Sequence, residues 1–225
     1  MALESFEEGV REVELLRTLA LAPERASADE SNAMCRAAVV LLVSHFESFL
    51  KAIAEEFIDS VGTGNVTASR LPRGVREAHT IPRLQDIVQS QDPAQRTSLL
   101  RKLGDVTALW NDSAKPSHGT LKPRVFARLV TSATPDVIDA LFQRMGAQHA
   151  VCVGDLDVLH EEELDTVKIS FRLDDIVKCR NDIAHGDSER KPTPEDVSRY
   201  TRFLSTFASR LQRKALSLSA QVLDD

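Results

Sequence analysis

The chain is poor in the residues that mark several common kinds of protein. One Trp and one Tyr stand against nine Phe, which leaves little material for the aromatic platforms that stack single-stranded nucleic acid. The three cysteines, Cys35, Cys152 and Cys179, are odd in number and form no C-x-x-C pair. No disulfide framework is expected, and Cys35 and Cys179 fall in helical patterns as reduced core or boundary residues. The longest apolar run, 37–43, is far too short to span a bilayer. The acidic start, Met1 to Glu8, lacks the basic segment and apolar stretch of a signal peptide, so a cytoplasmic protein without a membrane partner is expected. Gly62-Thr63-Gly64 lacks the lysine and third glycine of a phosphate loop, and no G-x-S-x-G elbow occurs. No two of His45, His79, His118, His149 and His160 have metal-ligand spacing with a Cys or carboxylate partner. No metal and no cofactor is expected. The net charge of −6 argues against a sequence-blind nucleic-acid coat, yet it leaves room for a small basic site.

What is present is helical periodicity. Phe6, Val10, Val13, Leu16 and Leu19 share one side of a first helix over 3–20, which Pro23 and the polar stretch 24–30 break. A second helix, from Asp29 or Ser31 to Ser60, is the most apolar stretch. Val39, Leu42, Val43, Phe46, Phe49, Leu50, Ile53 and Phe57 leave it only a wet strip of Ser44, Glu47, Ser48, Lys51 and Glu55. A helix apolar on so many sides is central. From 61 to 119 the pattern weakens: a loop over 61–69, short helical pieces near 83–90 and 93–103, and a turn-rich stretch over 111–119. Helices are expected over 121–131 and 135–145, the latter capped by Thr134 with Pro135 in its first turn. A brief extended piece is expected at 151–153. The run Glu161-Glu162-Glu163 reads as a solvated helix start. A last helix opens with Thr193, Pro194 and Asp196 and buries Val197, Tyr200, Phe203, Leu204, Phe207 and Leu211. No alternating strand stands out. The fold class is all-α, a helical bundle, with an inserted set of short helices over about 61–160.

The stretch 173–187 carries the chemistry. Leu173, Ile176, Val177, Ile183 and Ala184 recur at helical spacing, and Gly186 is a stop. Arg180 falls on or beside the apolar stripe, where a guanidinium must be paired or line a cleft. Asn181 and His185, four apart, share a face. An Arg followed by a His at four to six residues recurs at Arg73…His79 and Arg144…His149. The first lies in a loop-rich stretch after Pro72, the second beyond the Gly146 stop. Glu47 or Ser48 on the wet strip is placed to hold Arg180. Structural readings stand beside these: a histidine before a C-terminal glycine interacts with the last carbonyls of its helix, and an arginine at a stripe edge snorkels.

Arg180-Asn181-Asp182-Ile183-Ala184-His185 resembles the R-N-x-x-x-H signature of the HEPN superfamily, and the interrupted layout resembles its RiboL-PSP-HEPN group. The resemblance implies one HEPN-like domain over 1–225 with its insertion, a metal-independent endoribonuclease site where two copies meet, and a toxin or phage-defence role. It also implies an RNA substrate, a homodimer, and an antitoxin or defence-system partner. Arg180 and His185 would be catalytic, with Asn181 and Glu47 as supporting polar groups. HEPN toxins controlled by tyrosine modification carry a Tyr four residues after the motif histidine; here that residue is Glu189. Two other readings stay open: a non-catalytic HEPN module that dimerises, binds RNA or nucleotide, or scaffolds a partner, and a helical interaction protein in which the motif is accidental.

Overall fold

Ser27 opens the element on which the others pack. Its hydroxyl accepts from Glu30 N at 3.3 Å while Glu30 Oε2 accepts from Ser27 N at 2.6 Å, so two of the amides that a helix start leaves unpaired are satisfied reciprocally. From there α2 runs over Ala28–Thr63. The computed structural model describes residues 1–22, 27–160 (His160 by its backbone alone) and 163–224. Residues 23–26, in the expected break before α2, lie outside that range.

Four helices surround α2: α1 (Ala2–Ala20), α6 (Pro123–Ala127), α8 (Ile169–Ala184) and α9 (Pro194–Leu223). Phe6 of α1 meets Phe46 and Phe49 at ring-centroid distances of 5.8 and 5.4 Å, and Phe207 of α9 meets Phe46 at 6.2 Å. Each such ring, fully buried, contributes about 1.5–3 kcal/mol by leaving water. Farther along α2, Phe57 stacks on Phe126 of α6 at 6.3 Å, and Phe126 in turn stacks on His79 at 6.4 Å. The buried side chains of the middle segment therefore belong to the same apolar cluster as those of the long helices. α2 is long and apolar enough to cross a membrane, with an 18-residue window at a mean hydropathy of 1.6, but its apolar side chains are the centre of this cluster.

The middle of the chain is more regular than its sequence suggests. α3 (Arg73–Gln89) is one continuous helix that begins directly after Pro72 and carries Pro82 inside it. The expected loop-rich stretch around Arg73 and His79 is thus helical. α4 (Pro93–Arg101) and the four-residue α5 (Gly104–Thr107) follow. The helix expected over 121–131 shrinks to the five residues of α6, and α7 occupies Pro135–Arg144. Thr134 stands at the N-cap of α7, but its hydroxyl pairs with that of Ser132 at 3.0 Å and caps nothing. Residues 151–153 are irregular, because Asp139 Oδ1 takes the amides of Val151 at 2.6 Å and Cys152 at 2.8 Å, and this turns the backbone.

The expectation of no strand is overturned, and at Glu163 so is that of a helix start over the three glutamates. β1 (Asp155–His160) and β2 (Glu163–Lys168) form an antiparallel hairpin in which His160 faces Glu163 and Leu156 faces Val167. Leu156 and Val158 are buried and Leu159 is exposed, the alternation of a strand with one face on a core. Glu161 and Glu162 lie outside the described residues. The fold is an all-α bundle with this one small hairpin leading straight into α8.

Candidate active site at the end of α8

α8 buries Ile169, Leu173, Ile176, Val177 and Cys179, so its orientation is set before the motif is reached. Arg180 follows at the edge of that face. Its Nη2 donates to Glu47 Oε1 on α2, and its Nη1 donates to Asn181 Oδ1 at 3.0 Å. The Arg180 side chain is 25% exposed and that of Glu47 19%. The pair is half-sheltered, which strengthens it relative to a surface ion pair and keeps a path to solvent. A guanidinium has five N–H groups; with two engaged here, the remainder are available to an oxyanion. Of the two groups on the wet strip of α2 suited to hold Arg180, the structure brings Glu47 to it; Ser48 is exposed.

The helix then closes in a defined way. His185 N donates to Asn181 O at 2.9 Å, Gly186 N to Ile183 O at 3.1 Å, and Asp187 N to Asp182 O at 3.0 Å. These last two bonds make a Schellman motif. It requires a left-handed residue after the cap, and Gly186 takes φ +86°, where a side chain would be strained. His185 is the cap residue, with its ring exposed and no hydrogen bond from that ring to the described residues. The imidazole is thus not engaged with the last carbonyls of α8. Ala184, expected on the apolar face, is exposed as well, because the buried stripe ends at Ile183.

One contributor escaped the sequence reading. Arg36, three helical turns before Glu47 on α2, sends Nη1 to the carbonyls of Asp187 at 2.6 Å and Arg190 at 2.8 Å. It clasps the loop immediately after His185. Nothing local in the sequence signals this, since both acceptors are backbone atoms about 150 residues away. Because Glu47 meets α8 at Arg180 and Arg36 meets the chain beyond its end, α2 and α8 run antiparallel and are joined at two points. Behind the motif, Asp175 accepts from the Tyr200 hydroxyl at 3.0 Å and from Arg190 Nη2 at 3.3 Å. Burial, then the Asp175 carboxylate, pushes the Tyr200 hydroxyl well above the usual phenol range. Burial likewise raises the Cys179 thiol, so both are neutral structural groups.

The other two Arg…His pairs build no comparable site. His79 is buried in α3: its Nε2 accepts from Lys122 N at 2.9 Å and its Nδ1 lies 2.8 Å from Val75 O. That arrangement places the proton on Nδ1. Arg73 pairs with Glu77 instead. Arg144 ends α7, and His149 lies beyond it. Among the described residues, no group of three or more His, Cys, Asp or Glu is placed to hold a metal ion.

A family model described as RiboL-PSP-HEPN matches residues 7–216. The chain belongs to the RiboL-PSP-HEPN family. No curated protein and no solved structure matches it. At the level of the superfamily, HEPN domains have nuclease or RNA-binding roles, and they commonly dimerise. The matched span takes in α2, α8 and most of α9, and with them the RiboL-PSP-HEPN chain's Arg36, Glu47, Arg180, Asn181 and His185.

Proposed function

We propose that the protein is a metal-independent endoribonuclease of the HEPN type that acts as a homodimer, with Arg180 and His185 as catalytic residues and Asn181 and Glu47 as supporting groups. On this reading the chain is one HEPN-like domain over 1–225, with residues 61–160 as an insertion, and it serves in the cytoplasm as a toxin or phage-defence effector. The observation that carries the reading is a half-sheltered guanidinium, held by Glu47 and Asn181, with an exposed and unengaged imidazole five residues on, at the end of the same helix.

In such a reaction the 2′-oxygen attacks phosphorus and its proton passes to a base. The bond from phosphorus to the 5′-oxygen breaks, and an acid protonates the leaving oxygen. The products are a 2′,3′-cyclic phosphate and a 5′-hydroxyl. Arg180 would hold the non-bridging oxygens as charge develops on them. An imidazole suits either proton transfer near neutral pH, but one chain brings one motif histidine. A two-fold dimer that sets both motifs side by side supplies the second.

The test is cleavage of a labelled structured RNA in EDTA by wild type, His185→Ala and Arg180→Ala, each checked for equal helicity and dimer mass. Cleavage by wild type alone, leaving cyclic phosphate ends, is expected. Equal traces from all three would mean a contaminant and would remove the support for a nuclease. A second reading draws on the ion pair itself: Arg180 held by Glu47 also serves to lock α8 onto α2, as in a module that binds RNA or nucleotide without cutting it. Silence from all three proteins with intact folds and intact RNA binding favours that reading.

A further inference from the structure

α9 is electrostatically divided. Its first turn carries Glu195 and Asp196, and from Val197 to its end it carries Arg199, Arg202, Arg210, Arg213 and Lys214 with no acid. Of the cations nearer its start, Arg202 donates to Ser198 Oγ at 3.0 Å and Arg199 is matched by an acid. Arg199 pairs with Asp196, and the cleft of about 370 Å³ beside them sets Asp175, Glu189 and Asp196 against Arg190, Lys191 and Arg199.

The second half of α9 is different. Between it and the turn after α7 runs a groove of about 440 Å³, lined by Arg210, Arg213, Lys214 and Ser217 on one side and by His149 and Val151 on the other, with no carboxylate in its wall. Arg210 Nη1 donates to the carbonyl of Asp155 at 3.3 Å, and Arg213 Nε to that of Ser209 at 3.4 Å. Each guanidinium is thereby anchored by one nitrogen while the rest of its fork stays open. Of the nearby acids, Asp139 is turned onto the amides of Val151 and Cys152, and Asp155 meets Arg210 through its backbone carbonyl and not its carboxylate. Lys214 is half-buried, and no carboxylate among the described residues pairs with any of the three cations. Three cations in one groove with no carboxylate in its wall concentrate positive potential there, and that potential draws an anion. In a chain of net charge −6 they are not the outcome of a generally basic surface.

We infer that this groove, separate from the α8 motif, binds the phosphodiester backbone of RNA through Arg210, Arg213 and Lys214. The choice of RNA as the strand rests on the proposed function; the choice of phosphate rests on the groove. Fixed guanidinium forks suit successive non-bridging oxygens. The absence of Phe, Tyr and Trp from the lining fits contact with backbone more than with bases.

The experiment measures binding in the His185→Ala background, where cutting is not in play, so a failure of the nuclease reading leaves the result interpretable. Anisotropy of a labelled single-stranded RNA of about twenty nucleotides, longer than the ~4–16 that one site covers, is followed against salt. Adding Arg210→Ala, Arg213→Ala and Lys214→Ala together should weaken binding by about tenfold or more. It should also make the slope of log K against log salt shallower by about 2, at about 0.7 for each phosphate that is no longer neutralised. Arg210→Lys with Arg213→Lys, which keeps the charges, should retain most of the binding. Parent-like affinity and slope in the triple variant, with unchanged helicity, would overturn the assignment. So would displacement of the RNA by uridine monophosphate at an affinity equal to that of the strand, which would make the groove a site for a free phosphate.

Discussion

Glu47 and Arg180 are each incomplete alone. Glu47→Gln keeps the shape but removes the charge that holds the guanidinium, and it should lower RNA cleavage sharply while costing about 1–3 kcal/mol of stability. Parallel cleavage assays and urea titrations check this; a variant cleaving at the wild-type rate would make the ion pair purely structural. His79 offers a pH signature of a different kind. Burial, opposed by its bonds to Val75 and Lys122, holds its imidazole below the usual histidine range. The unfolded chain therefore binds a proton at higher pH than the folded one does. The stability due to the neutral ring is fully present above the unfolded value of about 6.5 and is lost as the pH falls toward the folded one. The melting temperature should drop between pH 7 and pH 5, and His79→Gln, neutral throughout, should flatten that part of the decline. A variant with the same pH profile as wild type would assign the decline to other groups.

The elements that position the motif were the ones most open to sequence reading. α2, α8 and α9 repeat apolar residues every three to four positions over many turns, and Thr193 with Pro194 and Asp196 marks the start of α9 unambiguously. α3 was hidden because Pro72 and Pro82 both read as breaks, whereas Pro72 only precedes the helix and Pro82 sits within it, where the rest of the turn carries it. The hairpin was hidden because its alternation rests on two buried residues, Leu156 and Val158, and because three successive glutamates imitate a helix start. Its register gives a direct check. Leu156→Ala should cost about 2 kcal/mol or more, as for a buried aliphatic, and Leu159→Ser on the outer face should stay within about 0.5 kcal/mol. Equal losses at both positions by chemical denaturation would contradict the inward and outward faces. At the end of α8, Gly186→Ala forces a side chain into a left-handed turn, at about 1–2 kcal/mol. It should reduce cleavage by more than its stability loss accounts for, because the same turn carries His185.

For the molecule as a whole, the arithmetic of histidines decides how many chains make a site. If two copies each supply one His185, mixing and refolding wild type with excess His185→Ala should reduce cleavage with the square of the wild-type fraction. A linear dependence would mean that each chain works alone. The bundle that would present those histidines is tied together by α2, whose two contacts with α8 and its following loop sit about 16 Å apart along the helix. The closed end of α8 has one more consequence. The amide protons of Gly186 and Asp187 are bonded to Ile183 and Asp182 only while that turn is shut, so their exchange with deuterium clocks its opening. If the clasp from Arg36 makes the turn one cooperative piece with the core, these two amides should exchange as slowly as those in the middle of α2. In Arg36→Ala they should speed up alone, giving a spectroscopic record of the site's assembly that needs no substrate.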